Sequence, residues 1–362
     1  MRERRNAHAA VRLAVPFMLL VAALPSSSPA QTRTPEAIFY LTDAPDALVS
    51  FEAHATQVSV VAPQSYRVNA RGDVEGSVPA RVLAVAHRQR IPVMPLIVNP
   101  GWNLELFHTL LHDSKARARV IQRLVELGKQ HGFWGWQFDF EQIHTADRDA
   151  LTRFYRETAE ALHAAGMKLS IAVYPDPDPN AEASPYLKWI RDYYAGAYDL
   201  KALADAGDFI SLMTYLQHSG HTPPGPVGGL PYMERAVRHA LALGVPAHKL
   251  SLGVPFFSMH WSAQWSTESS GRSSARGLSW TGADKLLREV GVRPEWDVTQ
   301  GSNRAHWERS GQLEYVWIED ARALEPKLAL QRRYGLRGIS VWRIGQEEPA
   351  VWGLLKQWGE RP

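Results

Sequence analysis

The chain has 362 residues, no Cys, a formal charge of +3 and a hydrophobic share of 45%, which excludes a disulfide scaffold and a disordered tail protein. The charge is not spread evenly. Arg2, Arg4, Arg5 and Arg12 against Glu3 account for all of it, so the remaining 332 residues carry 36 basic and 36 acidic side chains and offer no basic field for nucleic acid.

Residues 1–30 have a basic start, an apolar run from Leu13 to Leu24 and small residues ending at Ser28-Pro29-Ala30. This is the three-part form of a secretory signal, and the run is short for a membrane span. The expectation is export to the periplasm or medium with cleavage before Gln31, no stable membrane anchor, and a monomeric mature protein held by its core. Trp is the composition anomaly: there are 13 against 11 Phe and 12 Tyr, and eight lie between Trp261 and Trp352. Aromatic faces suit sugar rings, but for any single Trp a core position is the better expectation.

In chain order, short apolar or β-branched runs occur at Ala37–Thr42, Val58–Ala62, Ile91–Val98, Gly135–Glu141, Lys168–Tyr174, Phe209–Tyr215, Lys249–Phe257 and Gly338–Ile344. Helical periodicity falls between them, at Ser114–His131, Thr145–Ala165, Pro231–Leu243, Asp320–Tyr334 and Ala350–Trp358. Eight alternating units predict an α/β fold, a (β/α)₈ TIM barrel over residues 35–360. A doubly wound sheet usually carries a Gly-rich phosphate loop after its first strand, and Asp43-Ala44-Pro45-Asp46 is not one. About 80 residues separate the seventh and eighth strands, and residues 262–318 are expected to form a small insertion on the barrel rim.

The fourth run, Gly135-Trp136-Gln137-Phe138-Asp139-Phe140-Glu141, carries the chemistry. Alternation puts Gln137, Asp139 and Glu141 on the lumen face and the aromatic residues under the helices. Two carboxylates so close repel, which raises one pKa and suits a general acid; a purely structural pair satisfied by Arg or backbone fits the spacing equally well.

This segment resembles the strand-4 signature of glycoside hydrolase family 18, Asp-Gly-x-Asp-x-Asp-x-Glu. Glu141 matches the final Glu, Asp139 the last Asp and Gly135 the Gly, while Trp134 and Gln137 replace the first and middle Asp. Met213-Thr214-Tyr215 matches the family's Met-x-Tyr, with Leu216 where an Asp commonly follows. Pro223–Val227, Leu250–Phe257, Trp317–Asp320 and Gly338–Gly345 are similar to later family blocks, most like the branch of spore-cortex-lytic and other bacterial cell-wall N-acetylglucosaminidases.

The resemblance implies retaining hydrolysis without an enzyme nucleophile: the substrate's 2-acetamido oxygen attacks, Glu141 is acid and then base, Asp139 orients the acetamido N–H, and Tyr215 donates to its oxygen. Trp342 is implied as the floor under the sugar. With Met213, Gln137, Tyr40, Asn99 and Gln217 it makes the expected substrate-binding set. Trp102, Tyr174, Phe257 and Arg343 also fall at predicted strand ends, and Trp261, Trp265 and Trp280 are candidates for stacking further sugars. No cofactor is expected: His218 and His221 have a metal-like spacing, but a polar loop explains them. Arg322, Lys327, Arg332, Arg333 and Arg337 are expected to form a solvated helix face. The partner expected is a polysaccharide or oligosaccharide containing GlcNAc, from peptidoglycan, chitin or an N-glycan core. A catalytically inactive chitinase-like lectin is the competing function.

Overall fold

The computed structural model describes residues 35–176, 184–220, 222–263 and 273–360. The leader and its cleavage site, His221, Trp265 and residues 361–362 lie outside them. The strands are β1 (Glu36–Leu41), β2 (Val60–Val68), β3 (Val74–Gly76), β4 (Leu96–Val98), β5 (Gly135–Asp139), β6 (Lys168–Val173), β7 (Phe209–Leu212), β8 (Leu250–Pro255), β9 (Ser258–Ala263), β10 (Ser273–Leu278), β11 (Glu295–Asp297), β12 (Ser302–Arg309), β13 (Gln312–Ile318) and β14 (Gly338–Trp342). The helices are α1 (Pro45–His54), α2 (Ala80–Gln89), α3 (Leu104–His112), α4 (Ser114–His131), α5 (Arg148–Ala164), α6 (Pro185–Ile190), α7 (Leu200–Ala206), α8 (Leu230–Ala242), α9 (Trp280–Val290), α10 (Ala321–Arg333) and α11 (Val351–Glu360).

Among the described residues, eight parallel strands run in the order β1-β14-β8-β7-β6-β5-β4-β2, and pairing of β1 with β2 closes the ring. The fold is a (β/α)₈ barrel. Helix α4 shows how local sequence sets the elements: the Asp113 carboxylate accepts the N–H groups of Lys115 and Ala116 at its start, and Gly132, at φ 66°, ends it where a side chain would be strained. Its apolar stripe, Val120, Leu124 and Leu127, is buried against the barrel.

Alternation on β5 sorts the two faces. Trp136 donates its indole N–H to the Leu124 carbonyl on α4 at 3.0 Å, and Phe138 packs on Phe154 and Tyr155 of α5. Gln137 points into the lumen and donates to Ser211 Oγ at 3.0 Å. From there a hydroxyl chain continues through Ser340 to Ser251, at 2.8 and 2.7 Å. Apolar lumen residues surround this polar layer, among them Ile38, Tyr40, Val60, Ala62, Met94, Leu96 and Phe209. The interior is therefore filled, as barrels of this size are. Trp134 packs on Phe209 at the base of this cluster.

Between β8 and β14, strands β9 to β13 form a five-stranded antiparallel sheet in the order β10-β9-β13-β12-β11, backed by α9. It begins at Ser258, four residues before the stretch read from the sequence. Its faces alternate: Tyr315, Trp317, Met259 and Trp261 join Met213, Tyr215 and Phe257 at the barrel mouth, while Ala305, Trp307, Val316 and Ile318 pack with Leu286 of α9. Much of the unusual Trp content is thus core, shared between the sheet and the mouth. No helix of the described residues is long and apolar enough to cross a membrane.

Candidate active site

Asp139 closes β5, and Glu141 follows two residues later at the C-terminal mouth of the barrel, where enzymes of this architecture keep their chemistry. Asp139 is buried and Glu141 half-buried. Burial pushes the Asp139 carboxyl up to about 7, against a hydrogen bond from Gln64 Nε2 to Oδ2 at 3.4 Å. Burial, and then the charge of Asp139, hold the Glu141 carboxyl well above the usual carboxylate range. The pair titrates as one unit and retains a proton near neutral pH.

Three neighbours complete the geometry. The Asn99 side-chain amide donates to the Glu141 carbonyl at 2.9 Å, and its oxygen accepts the Glu141 N–H at 3.0 Å. Tyr198 donates its hydroxyl to the Phe140 carbonyl at 2.7 Å. Tyr215 is buried in the mouth, its hydroxyl held neutral by burial and by the nearby Tyr40, Asp139, Glu141 and Tyr174. It reaches this position because β8 comes close at Gly253: a Cβ there would stand 2.1 Å from the Leu212 carbonyl oxygen. Thr214 donates to the Gly253 carbonyl at 2.6 Å across the same contact.

The residues immediately after Glu141 and Tyr215 share a feature. Gln142 and Leu216 have φ of 54° and 55°, left-handed conformations that cost a side-chain-bearing residue on the order of 1–2 kcal/mol. The chain turns sharply just past each functional candidate, which leaves both side chains at the lip of the barrel.

Trp342 ends β14, is half-buried, and spans the lumen cluster and the aromatic wall of the inserted sheet, its ring 5.5 Å from that of Tyr40. It is the member of the expected substrate set that best fits a cleft floor. The others in that set are more deeply packed. Tyr40, Gln137 and Asn99 are no more than 1% exposed: Tyr40 and Gln137 support the site from beneath, and Asn99 is held behind Glu141 at the edge of a neighbouring groove. Met213 is packed in the aromatic wall. The side-chain oxygen of Gln217 accepts the Gly229 N–H at 2.9 Å, which braces the loop before α8. Arg343 is bonded to Asp46, and Trp261 is buried with its indole N–H on the Ser219 carbonyl. Trp102 lines a groove of about 310 Å³ together with Gln64, Arg67, Val98 and Asn99, beside the carboxylates.

Gln64 and Tyr198 were not foreseen. Gln64 lies beyond Ala62, where the apolar run of β2 stops in sequence, yet the strand continues to Val68 through a register shift between Gln64 and Tyr66. Tyr198 sits before α7 with no motif around it. His218 bonds the Pro223 carbonyl at 3.0 Å. The described residues that together could hold a metal ion are His108, His112 and Asp147.

The glycosyl hydrolases family 18 model matches residues 53–347. The cortical fragment-lytic enzyme of Bacillus subtilis (strain 168) is 27% identical over 295 residues, 80% of this chain and 65% of that protein, so the chain spans just under two thirds of this relative's length. A chitinase from Chromobacterium violaceum superposes with TM-score 0.80 at 26% identity, covering 91% of this chain and all of the other. The Bacillus cereus spore cortex-lytic enzyme SleL superposes with TM-score 0.79 at 24% identity, covering 90% and 74%. With the barrel, the carboxylate pair at the C-terminal end of β5 and this match in view, the chain belongs to glycosyl hydrolase family 18.

Proposed function

We propose that the protein is an exported retaining glycoside hydrolase that cleaves β-linked glycans containing N-acetylglucosamine, with the substrate's acetamido group as nucleophile. The observation that carries this reading is the pair Asp139 and Glu141, two residues apart at the barrel mouth, both holding protons far more tightly than free carboxyls. Glu141 gives its proton to the leaving glycosidic oxygen as the acetamido oxygen attacks the anomeric carbon. Asp139 accepts the acetamido N–H and balances the positive oxazolinium ion, and Tyr215 donates to the acetamido oxygen. Glu141 then takes a proton from the water that opens the ring. Gln137 cannot carry charge, so no inner carboxylate shares the proton of Asp139.

The substrate class follows from the relatives. The B. subtilis protein is named for cortical fragments and the C. violaceum protein for chitin, polymers that share β-linked GlcNAc. The neutral mature chain suits a largely uncharged glycan, and the leader addresses it outside the cytoplasm.

Glu141→Gln tests the assignment: turnover of chitooligosaccharides and muropeptides falls by on the order of 10³-fold while binding persists. Unchanged turnover in that variant sinks it. Efficient hydrolysis of a glucose oligomer, which lacks the acetamido group, rules out substrate assistance. Binding by the wild type without release of reducing ends establishes the lectin instead. N-terminal sequencing of protein from the periplasm or medium, beginning at Gln31, checks export.

A further inference from the structure

His108 and His112 lie one turn apart on α3, which places their rings on one face of the helix, tilted 40° to each other with centroids 4.5 Å apart. Both point at Asp147, in the short 3₁₀ turn Thr145–Asp147 that leads into α5. Asp147 Oδ1 is 2.8 Å from His108 Nδ1 and 3.0 Å from His112 Nε2, and Oδ2 is 2.9 Å from His108 Nδ1. The carboxylate is buried at 3% exposure, whereas the imidazoles are half-exposed. Among the described residues, the ion-pair partners of Asp147 are these two rings and no Arg or Lys.

We propose that His108, His112 and Asp147 form a binding site for a divalent transition-metal ion of the zinc class, with water completing its coordination. One ligand atom from each residue can be chosen so that all lie within 4.8 Å of one another. Ligands about 2.0–2.1 Å from a tetrahedral ion stand roughly 3.3 Å apart, so small rotations of two half-exposed rings complete the site. The rearrangement is chemically simple. A neutral imidazole that donates to Asp147 moves its proton to the other, outward ring nitrogen and turns its lone pair to the ion. Two imidazoles and one carboxylate select zinc, cobalt, nickel or copper over calcium or magnesium, which prefer oxygen ligands. The buried carboxylate, whose ion-pair partners among the described residues are these two imidazoles, gains a permanent positive partner.

The location gives the ion a structural consequence. Asn99 and the Pro100–Trp102 turn precede α3, and Asp147 lies on the segment that leaves Glu141. An ion at this site ties together the two segments whose contact, Asn99 to Glu141, holds the candidate acid.

The experiment is titration of chelator-stripped full-length protein with zinc chloride by calorimetry, followed by cobalt(II) spectroscopy. The expected result is one zinc per chain at micromolar affinity or tighter, visible d–d bands with cobalt, and a higher melting temperature with zinc. His108→Ala/His112→Ala weakens binding by on the order of 100-fold or more, while His218→Ala leaves it unchanged. Circular dichroism establishes that the double variant folds. Equal zinc uptake by wild type and the folded double variant, or the absence of cobalt bands in the wild type, overturns the proposal. The cobalt measurement needs no variant and stands if the double variant fails to fold.

Discussion

Asn99 and Glu141 are joined by two reciprocal hydrogen bonds, at 2.9 and 3.0 Å, between the side-chain amide of one and the backbone of the other. Asn99 follows β4 and Glu141 follows β5, so neighbouring strands hold the acid by its main chain and leave its carboxyl free.

Asn99→Ala therefore lowers kcat more than it raises KM, because it moves the carboxyl without removing a substrate contact. A displacement of about 1 Å costs on the order of 10²-fold. Steady-state kinetics on a GlcNAc oligomer check this; an effect confined to KM assigns Asn99 to the substrate wall.

The carboxylate pair links stability and activity through pH. The Asp139 carboxyl rises from 3.8 to about 7 on folding, so the native state binds more protons than the unfolded chain between those values. Its contribution to stability is complete below pH 3.8 and is lost as pH rises through 7. Asp139→Asn should be more stable than wild type at pH 8 by on the order of a few kcal/mol, with the difference vanishing near pH 4. The same substitution removes the charge facing Glu141, which lowers its proton affinity and moves the alkaline limb of residual activity to lower pH. Denaturant melts at both pH values and a pH–rate profile read the two effects.

Lys327 of α10 is not on the solvated face expected from the sequence: it donates to Glu319, which follows β13, and both are buried. Even with that partner, burial keeps the Glu319 carboxyl up at about 7. Lys327→Ala strands a buried carboxylate and should cost about 3–5 kcal/mol, whereas replacing both residues with apolar ones of similar volume restores much of it. Urea denaturation of the single and double variants separates these outcomes.

Leu216 holds a left-handed backbone while 40% exposed. Leu216→Asn, which tolerates that conformation, should stabilise by about 1 kcal/mol. A drop in melting temperature shows that Leu216 contributes packing that outweighs its strain.

The sequence by itself determined the barrel, because eight apolar runs alternating with helical periods leave few topologies that bury every face. It also placed Asp139 and Glu141 on the lumen face, since period-2 alternation on β5 is a local property. Tertiary structure decided what local pattern does not carry. Asn99 and Tyr40 lie at or near strand ends in sequence and Gln137 lies within β5, but their burial depends on neighbouring strands, which supply Glu141, Trp342 and Ser211 as partners. Gln64 and Tyr198 reach the site from segments with no periodic signal. The His108, His112 and Asp147 cluster joins residues 35 to 39 positions apart, a proximity created by packing α3 against the turn before α5. Carboxyl proton affinity, too, is a property of the assembled lumen, because desolvation and the approach of a like charge exist only once the strands have closed.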